Sequence, residues 1–219
     1  MIEVHLIDYM GTDLTTVNAA RVSFNKESTW DNDYEDEVLQ TKDEKLVHYL
    51  AEHKHTSPFG HAFASFRVKA PVFVARQLFK HKFLRPNEVS RRYVDTSPTV
   101  FFPEGWRAKH ENKKQGSGDV RTDSDHWNAM YAVLMNGCLN LYDKMIEAGV
   151  CPEQARMVLP QSMYTEWYWS GSLDAFADMY NLRIKPDAQL ETQEVARQIG
   201  DIMSVLYPVS WEALTRGPS

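Results

Sequence analysis

A chain of 219 residues with a formal net charge of -6 is long enough for one domain with a sizeable core, and its acidic balance argues against a general nucleic-acid binder. Two cysteines, Cys138 and Cys151, make no disulfide framework and point to a reduced, cytoplasmic protein. No apolar run approaches the ~20 residues that span a bilayer, and the first eight residues lack the charged start and apolar run of a signal peptide, so no membrane partner is expected.

Residues 2–7 alternate like a strand. Asp13 is a candidate cap for a helix running to about Val22. Residues 24–41 are polar and acidic and read as a loop or frayed helix. Thr41 to about Glu52 reads as a helix with Leu46, Val47 and Leu50 inward. The turn from His53 to His61 is set by Pro58 and Gly60 and carries three histidines. No acid or cysteine stands at ligand spacing beside them, so hydrogen-bonding roles are favoured and no metal is expected. Phe63, Ser65, Arg67 and Lys69 then alternate with Ala62, Ala64, Phe66 and Val68. That is a strand running straight into the next helix.

The next helix opens at Pro71, a residue suited to a first turn. Val72, Ala75 and Phe79 share the face expected to be buried, Phe73, Gln77 and Lys80 share another, and His81 and Lys82 close the helix. Pro86 keeps Leu84 and Arg85 out of helix and predicts an extended turn. Between residues 76 and 92 stand six Lys/Arg and one acid. Cations gathered against the overall balance point to an anionic ligand. Ser90 and Glu88 among them add groups that read its neutral parts by hydrogen bonds. The plainer reading of such a run is a solvated basic surface.

Val100, Phe101 and Phe102 form a short apolar piece that Pro103 ends. Residues 103–125, rich in Gly, Lys, Asn, Ser and Asp, read as a mobile insertion, more simply a surface loop than a lid. Asp123 or Asp125 can cap a long helix. Its Trp127, Tyr131, Leu134, Cys138, Leu141 and Met145 recur at seam spacing, and Gly149 ends it. Cys151 and Pro152 open another helix, where Arg156 is either a salt-bridge partner or an anion ligand. Met163 to Ser170 is aromatic-rich and alternating, a strand. Ser172 caps a helix to Asn181 that ends in Leu182 and Arg183. Pro186 starts the last long helix, with Val195, Ile199, Ile202 and Leu206 on one side, and Pro208 stops it. The elements make an α+β single domain over residues 1–219, with a small mixed sheet and long helices whose seams can also pack against other copies of the chain.

Lys80-His81-Lys82, seven residues, then Ser90 resembles the Arg-His-Arg-x7-Ser signature of the flavin-dependent thymidylate synthases. The likeness continues through Ala70-Pro71, Val74-Ala75-Arg76-Gln77, Asn87-Glu88 and Arg92-Tyr93, then Ala155-Arg156, Val158-Leu159-Pro160, Tyr164-Thr165, Asn181-Leu182-Arg183 and Ala188-Gln189. Several motifs in order are far more specific than one short string.

The resemblance implies methylation of dUMP to dTMP in a homotetramer whose sites lie where subunits meet. Methylenetetrahydrofolate would supply the carbon, and NADPH the hydride through FAD. It implies that Gln77, Lys80, Glu88, Val89, Ser90, Arg91, Arg92, Arg156 and Arg183 hold dUMP. Arg183 would be the catalytic residue, favouring the ionised form of uracil N3 and so polarising C5. Ser57, Lys80, His81, Lys82, Glu88, Ser172, Asp174 and Asp178 would hold FAD. Ser90 would orient the nucleotide without acting as a nucleophile, since no base is evident for it. The sequence departs from the pattern in several places. Lys80 and Lys82 replace arginines and lose the planar fork, Gly60 stands where glutamate is frequent, and Asp174 and Asp178 would repel a pyrophosphate. The rival readings are a hydroxymethylase of the same fold and a non-catalytic nucleotide- or RNA-binding module.

Overall fold

The computed structural model describes residues 1–31, 37–110 and 116–216. At its centre is a four-stranded sheet of β1 (Glu3–Met10), β2 (Phe63–Pro71), β3 (Arg85–Glu88) and, later in the chain, β6 (Tyr164–Ser172), in the order β1-β2-β6-β3. A separate hairpin holds β4 (Arg107–Lys109) and β5 (Ser117–Val120). The helices are α1 (Asp13–Arg21), α2 (Thr41–Glu52), α3 (Val72–Leu78), α4 (Ser124–Glu147), α5 (Pro152–Ala155), α6 (Leu173–Arg183), α7 (Leu190–Leu206) and α8 (Pro208–Thr215).

Every pairing in the central sheet is antiparallel, which corrects the expected mixed sheet. The reason lies in the alternation. An antiparallel sheet can bury one face and wet the other, whereas parallel strands are usually covered on both. Val4, Val68 and Trp167 fall in register on the buried face, as do Leu6, Phe66 and Trp169. On the other face Arg67 meets Glu166 and Ser65 meets Ser170. Phe66 and Trp169 both set their rings edge-on to Phe176 of α6, with centroids 5.1 and 5.7 Å apart. Such a pair is worth about 1 kcal/mol beyond area burial.

Helix α7 packs as its periodicity predicts. Val195 and Ile199 are buried, and Ile202 and Leu206 pack against the core. At Gly200 a Cβ would come within 2.5 Å of the Tyr180 ring, so the glycine sets how closely α6 and α7 approach. The buried face of α3 is Val74, Ala75 and Leu78, while Val72 and Phe79 are only half-buried. The helix stops at Leu78, so His81 and Lys82 lie beyond it.

Several boundaries differ from the sequence reading. The first strand runs to Met10. Asp13 begins α1 rather than capping it: its carboxylate accepts the Val209 and Ser210 N–H groups, both at 2.9 Å, and so caps α8. The segment through Pro86 is strand β3, a sheet edge, where proline's missing donor costs nothing. Helix α7 starts at Leu190, not Pro186, and Pro208 opens α8 as well as ending α7. Part of the acidic stretch read as a loop or frayed helix, residues 32–36, lies outside the described residues. Residues 103–125 carry β4 and β5, with 111–115 outside the described residues.

The seam on α4 is not a core seam. Leu134 is 62% exposed and Leu141 49%, whereas Met135 and Tyr142 are the buried pair. Helix α4 leans on the 94–102 segment through the Tyr142 hydroxyl to Val94 O and the Tyr131 hydroxyl to Phe101 O. It ends as expected: Gly149 has φ +82°, and the Val150 N–H returns to Met145 O.

Candidate functional site

The C-terminal end of α6 brings Arg183 back against the end of α3. The Arg183 Nε–H donates to His81 Nε2 at 3.0 Å, and its Nη2 donates to Gln77 O at 3.0 Å. A histidine nitrogen that accepts from guanidinium carries no proton, so the ring proton sits on Nδ1. Burial first, and the Arg183 charge second, pull His81 down to about 4. The imidazole is therefore neutral at physiological pH. Burial also lowers the Arg183 pKa from its ordinary value, but guanidinium stays charged.

Two residues with no role assigned in the sequence reading complete this cluster. The Gln77 amide donates to Gln189 Oε1 and accepts from the Thr192 hydroxyl. Gln189 caps α7 and Thr192 lies in its first turn. Gln189 stands in a matched motif, but nothing local indicates that it would orient Gln77.

Lys80 and Lys82 are exposed just past α3. Among the described residues neither ammonium meets a carboxylate. Uncompensated cations suit an anionic ligand. Gly171 helps place this segment: a Cβ there would meet Leu84 Cδ2 at 2.4 Å and Phe83 O at 3.3 Å.

Strand β3 puts Glu88 opposite Trp167, whose ring packs edge-on against Phe79. Glu88 thus lies on the sheet face that α3 covers, and it accepts the Thr165 hydroxyl at 2.8 Å. The Val89 N–H is committed to Glu166 O at 2.9 Å, so it is not a free donor. Ser90 Oγ lies 3.4 Å from Arg92 N and 3.5 Å from Arg92 Nε. The Arg92 guanidinium lies over the Tyr93 ring, and Arg91 donates to Thr96 O.

Ser57 opens a short 3-10 turn, Ser57–His61, that packs against α6. Ser172 caps α6 and donates to Asp174 Oδ1. Partial burial, then the neighbouring Asp174 charge, raises the Asp178 pKa. These acids offer acceptors for hydroxyl or ring N–H donors and do not suit a phosphate. Nine residues separate Asp174 from Arg183 on α6, a rise of roughly 13 Å. Arg156 stands apart: its Nε donates to Glu153 O, and no hydrogen bond among the described residues joins it to Gln77, His81 or Arg183. Within one chain, then, the expected ligands fall into a cluster around Arg183, a β3 group, an α6 N-terminal group and a separate Arg156. A cleft lined by Thr12, Leu14, Asn18, Val22 and His61 contains none of them.

Fold and site together define an α+β protein with an exposed basic segment beside a partly buried arginine that rests on a neutral histidine. Residues 5–209 match the family model described as thymidylate synthase complementing protein, and the chain belongs to that family. It is 37% identical over 210 residues to the flavin-dependent thymidylate synthase of Thermus thermophilus, covering 96% of this chain and 74% of that one. It is 38% identical to the enzyme of that name from Thermotoga neapolitana, covering 97% and 90%. Among solved structures it resembles the UMP/dUMP methylase PolB from Streptomyces cacaoi bound with 5-Br dUMP, with a TM-score of 0.85, 29% identity and coverage of 99% and 95%.

Proposed function

We propose that this chain is a flavin-dependent thymidylate synthase, converting dUMP to dTMP with 5,10-methylenetetrahydrofolate as carbon donor and NADPH as hydride source through FAD. The observation that carries the reading is Arg183 held between His81 Nε2 and Gln77 O. A guanidinium fixed by two acceptors retains unused donors to present to an anion. Beside uracil it favours the N3 anion and raises electron density at C5. Neutral His81 supports that role, because a second cation there would repel Arg183. Flavin, when bound, supplies the hydride chemistry.

Lys80, Ser90, Arg91 and Arg92 bind the nucleotide phosphate and sugar, with Gln77, Glu88 and the Val89 carbonyl completing the pocket. Lys80, His81 and Lys82 hold the anionic part of FAD. Ser57, Ser172, Asp174 and Asp178 take its hydroxyl-bearing or ring parts, which suits acids better than pyrophosphate does. Arg156 reaches the nucleotide of a neighbouring copy in a homotetramer. The exposed apolar side chains of α4, Met130, Val133, Leu134 and Leu141 among them, support such an assembly.

An absorption spectrum of the purified protein, with added FAD if needed, tests the reading. A flavin band bleached by NADPH and restored by methylenetetrahydrofolate with dUMP is expected, with a product heavier by one methyl. A product bearing hydroxymethyl would establish the same-fold hydroxymethylase instead. Colourless protein that ignores FAD and dUMP would sink the reading and favour a binding module. UMP run beside dUMP shows whether this chain discriminates the 2′-hydroxyl.

A further inference from the structure

The β4–β5 hairpin is tied to two helices at once. Trp106, just before β4, donates its Nε1–H to Asn128 Oδ1 of α4 at 2.8 Å and packs edge-on against Tyr131. Arg107, the next residue, points to α7. Its Nη2 lies 2.8 Å from Glu191 Oε1 and 2.9 Å from Oε2. The Glu191 side chain is only 9% exposed and that of Arg107 22%. Farther along the hairpin, the Gly116 backbone lies against Asp187: a Cβ there would sit 3.5 Å from the Asp187 Cα. The hairpin therefore touches both the segment that follows Arg183 and the first turn of α7.

Glu191 sits between the two residues that hold the Gln77 side chain. Gln189 accepts from the Gln77 amide, Thr192 donates to its carbonyl oxygen, and the Gln77 backbone carbonyl accepts Arg183 Nη2. A continuous chain of polar contacts and one helical turn thus runs from Arg107 through Glu191, Gln189 and Thr192 to Gln77 and Arg183. We propose that Arg107 is a positioning residue for nucleotide binding, acting through Glu191 and the first turn of α7 on the Gln77 side chain. The proposal rests on the thymidylate synthase reading and gives the 103–125 segment a role in it. Arg107 does not touch the nucleotide. It holds a nearly buried carboxylate in a fixed direction, and without it that carboxylate turns toward water and takes the α7 start with it. Both contacts come from one nitrogen, Nη2, which bridges the two carboxylate oxygens, so the charge and reach of Arg107 hold Glu191.

The test is dUMP binding to full-length protein, read by isothermal titration, beside FAD binding read by flavin fluorescence. Arg107→Ala is expected to weaken dUMP about tenfold while FAD affinity stays within about twofold of wild type. Loss of fold would weaken both together, so the split separates positioning from simple instability. Arg107→Lys, which keeps the charge on a shorter side chain, is expected to recover part of the dUMP affinity; where Arg107→Ala does not fold, this variant decides by a weakened dUMP affinity alone. The proposal is overturned by a folded variant, Ala or Lys as applicable, with dUMP affinity equal to wild type, or by equal losses of dUMP and FAD. Wild-type protein that does not bind dUMP at all would bring down the parent reading as well, an outcome distinct from equal binding by wild type and variant.

Discussion

Arg183 is the residue to which the proposed function assigns the chemistry. Its guanidinium is held by a ring nitrogen and a backbone carbonyl, and among the described residues no carboxylate pairs with it. Arg183→Ala is expected to lower turnover by at least about a hundredfold while the circular dichroism spectrum and melting temperature stay near those of wild type. Near-normal turnover would remove Arg183 from its assigned role. Among the described residues the Ser90 hydroxyl makes only long contacts, to Arg92, so it is available to a ligand. Ser90→Ala should weaken dUMP more than FAD in paired titrations. His81 carries a pH signature. An unfolded histidine takes its proton near pH 6.5, whereas folded His81 takes it near 4. Between those values the unfolded chain binds more protons, so this contribution is present above pH 6.5 and is lost as pH falls toward 4. Half-burial discounts the size to about 2 kcal/mol. His81→Gln should flatten that part of the urea-midpoint profile, with the carboxylates common to both proteins cancelling in the difference.

At the scale of elements, the strands and amphipathic helices are legible because their signals are local. Phe63 to Val68 alternates, and the strand follows that alternation. Val195, Ile199 and Ile202 recur at helical spacing, and α7 packs on that side. Caps were less legible, because a carboxylate near a helix start can serve any helix that comes close. Asp13 looks like the cap of α1 and instead receives two N–H groups of α8. Asp13→Ala should therefore cost about 2 kcal/mol in urea denaturation, with kcat per folded molecule unchanged. If stability moved by less than the error of the fit, the capping assignment would fail. Helix α4 misled for a related reason: seam spacing reports an apolar stripe but not what covers it. The Leu134 and Leu141 stripe faces away from the buried pair Met135 and Tyr142.

At the scale of the whole molecule, that exposed stripe and the separate Arg156 point the same way. The homotetramer proposed for this chain would cover the first and bring the second to a neighbouring pocket. Leu134→Asp is expected to shift sedimentation from tetramer toward smaller species and to lower FAD affinity in step. A variant that remains tetrameric would take α4 out of the interface.

Sequence alone determined the main strands and helices, though not all their ends nor β3, β4, β5 and α8, that a basic segment interrupts an acidic chain, and which family the motifs resemble. Each of these is written in neighbouring residues, as spacing, charge density or a short string. Only the tertiary structure decided which polar groups meet. Arg183 finds a histidine 102 residues away, and Asp13 caps a helix starting nearly two hundred residues later. Such partners are chosen when apolar faces close on one another and carry distant segments into contact. Local periodicity dictates that a face will be buried, not which hydrogen-bonding groups arrive with the face that buries it.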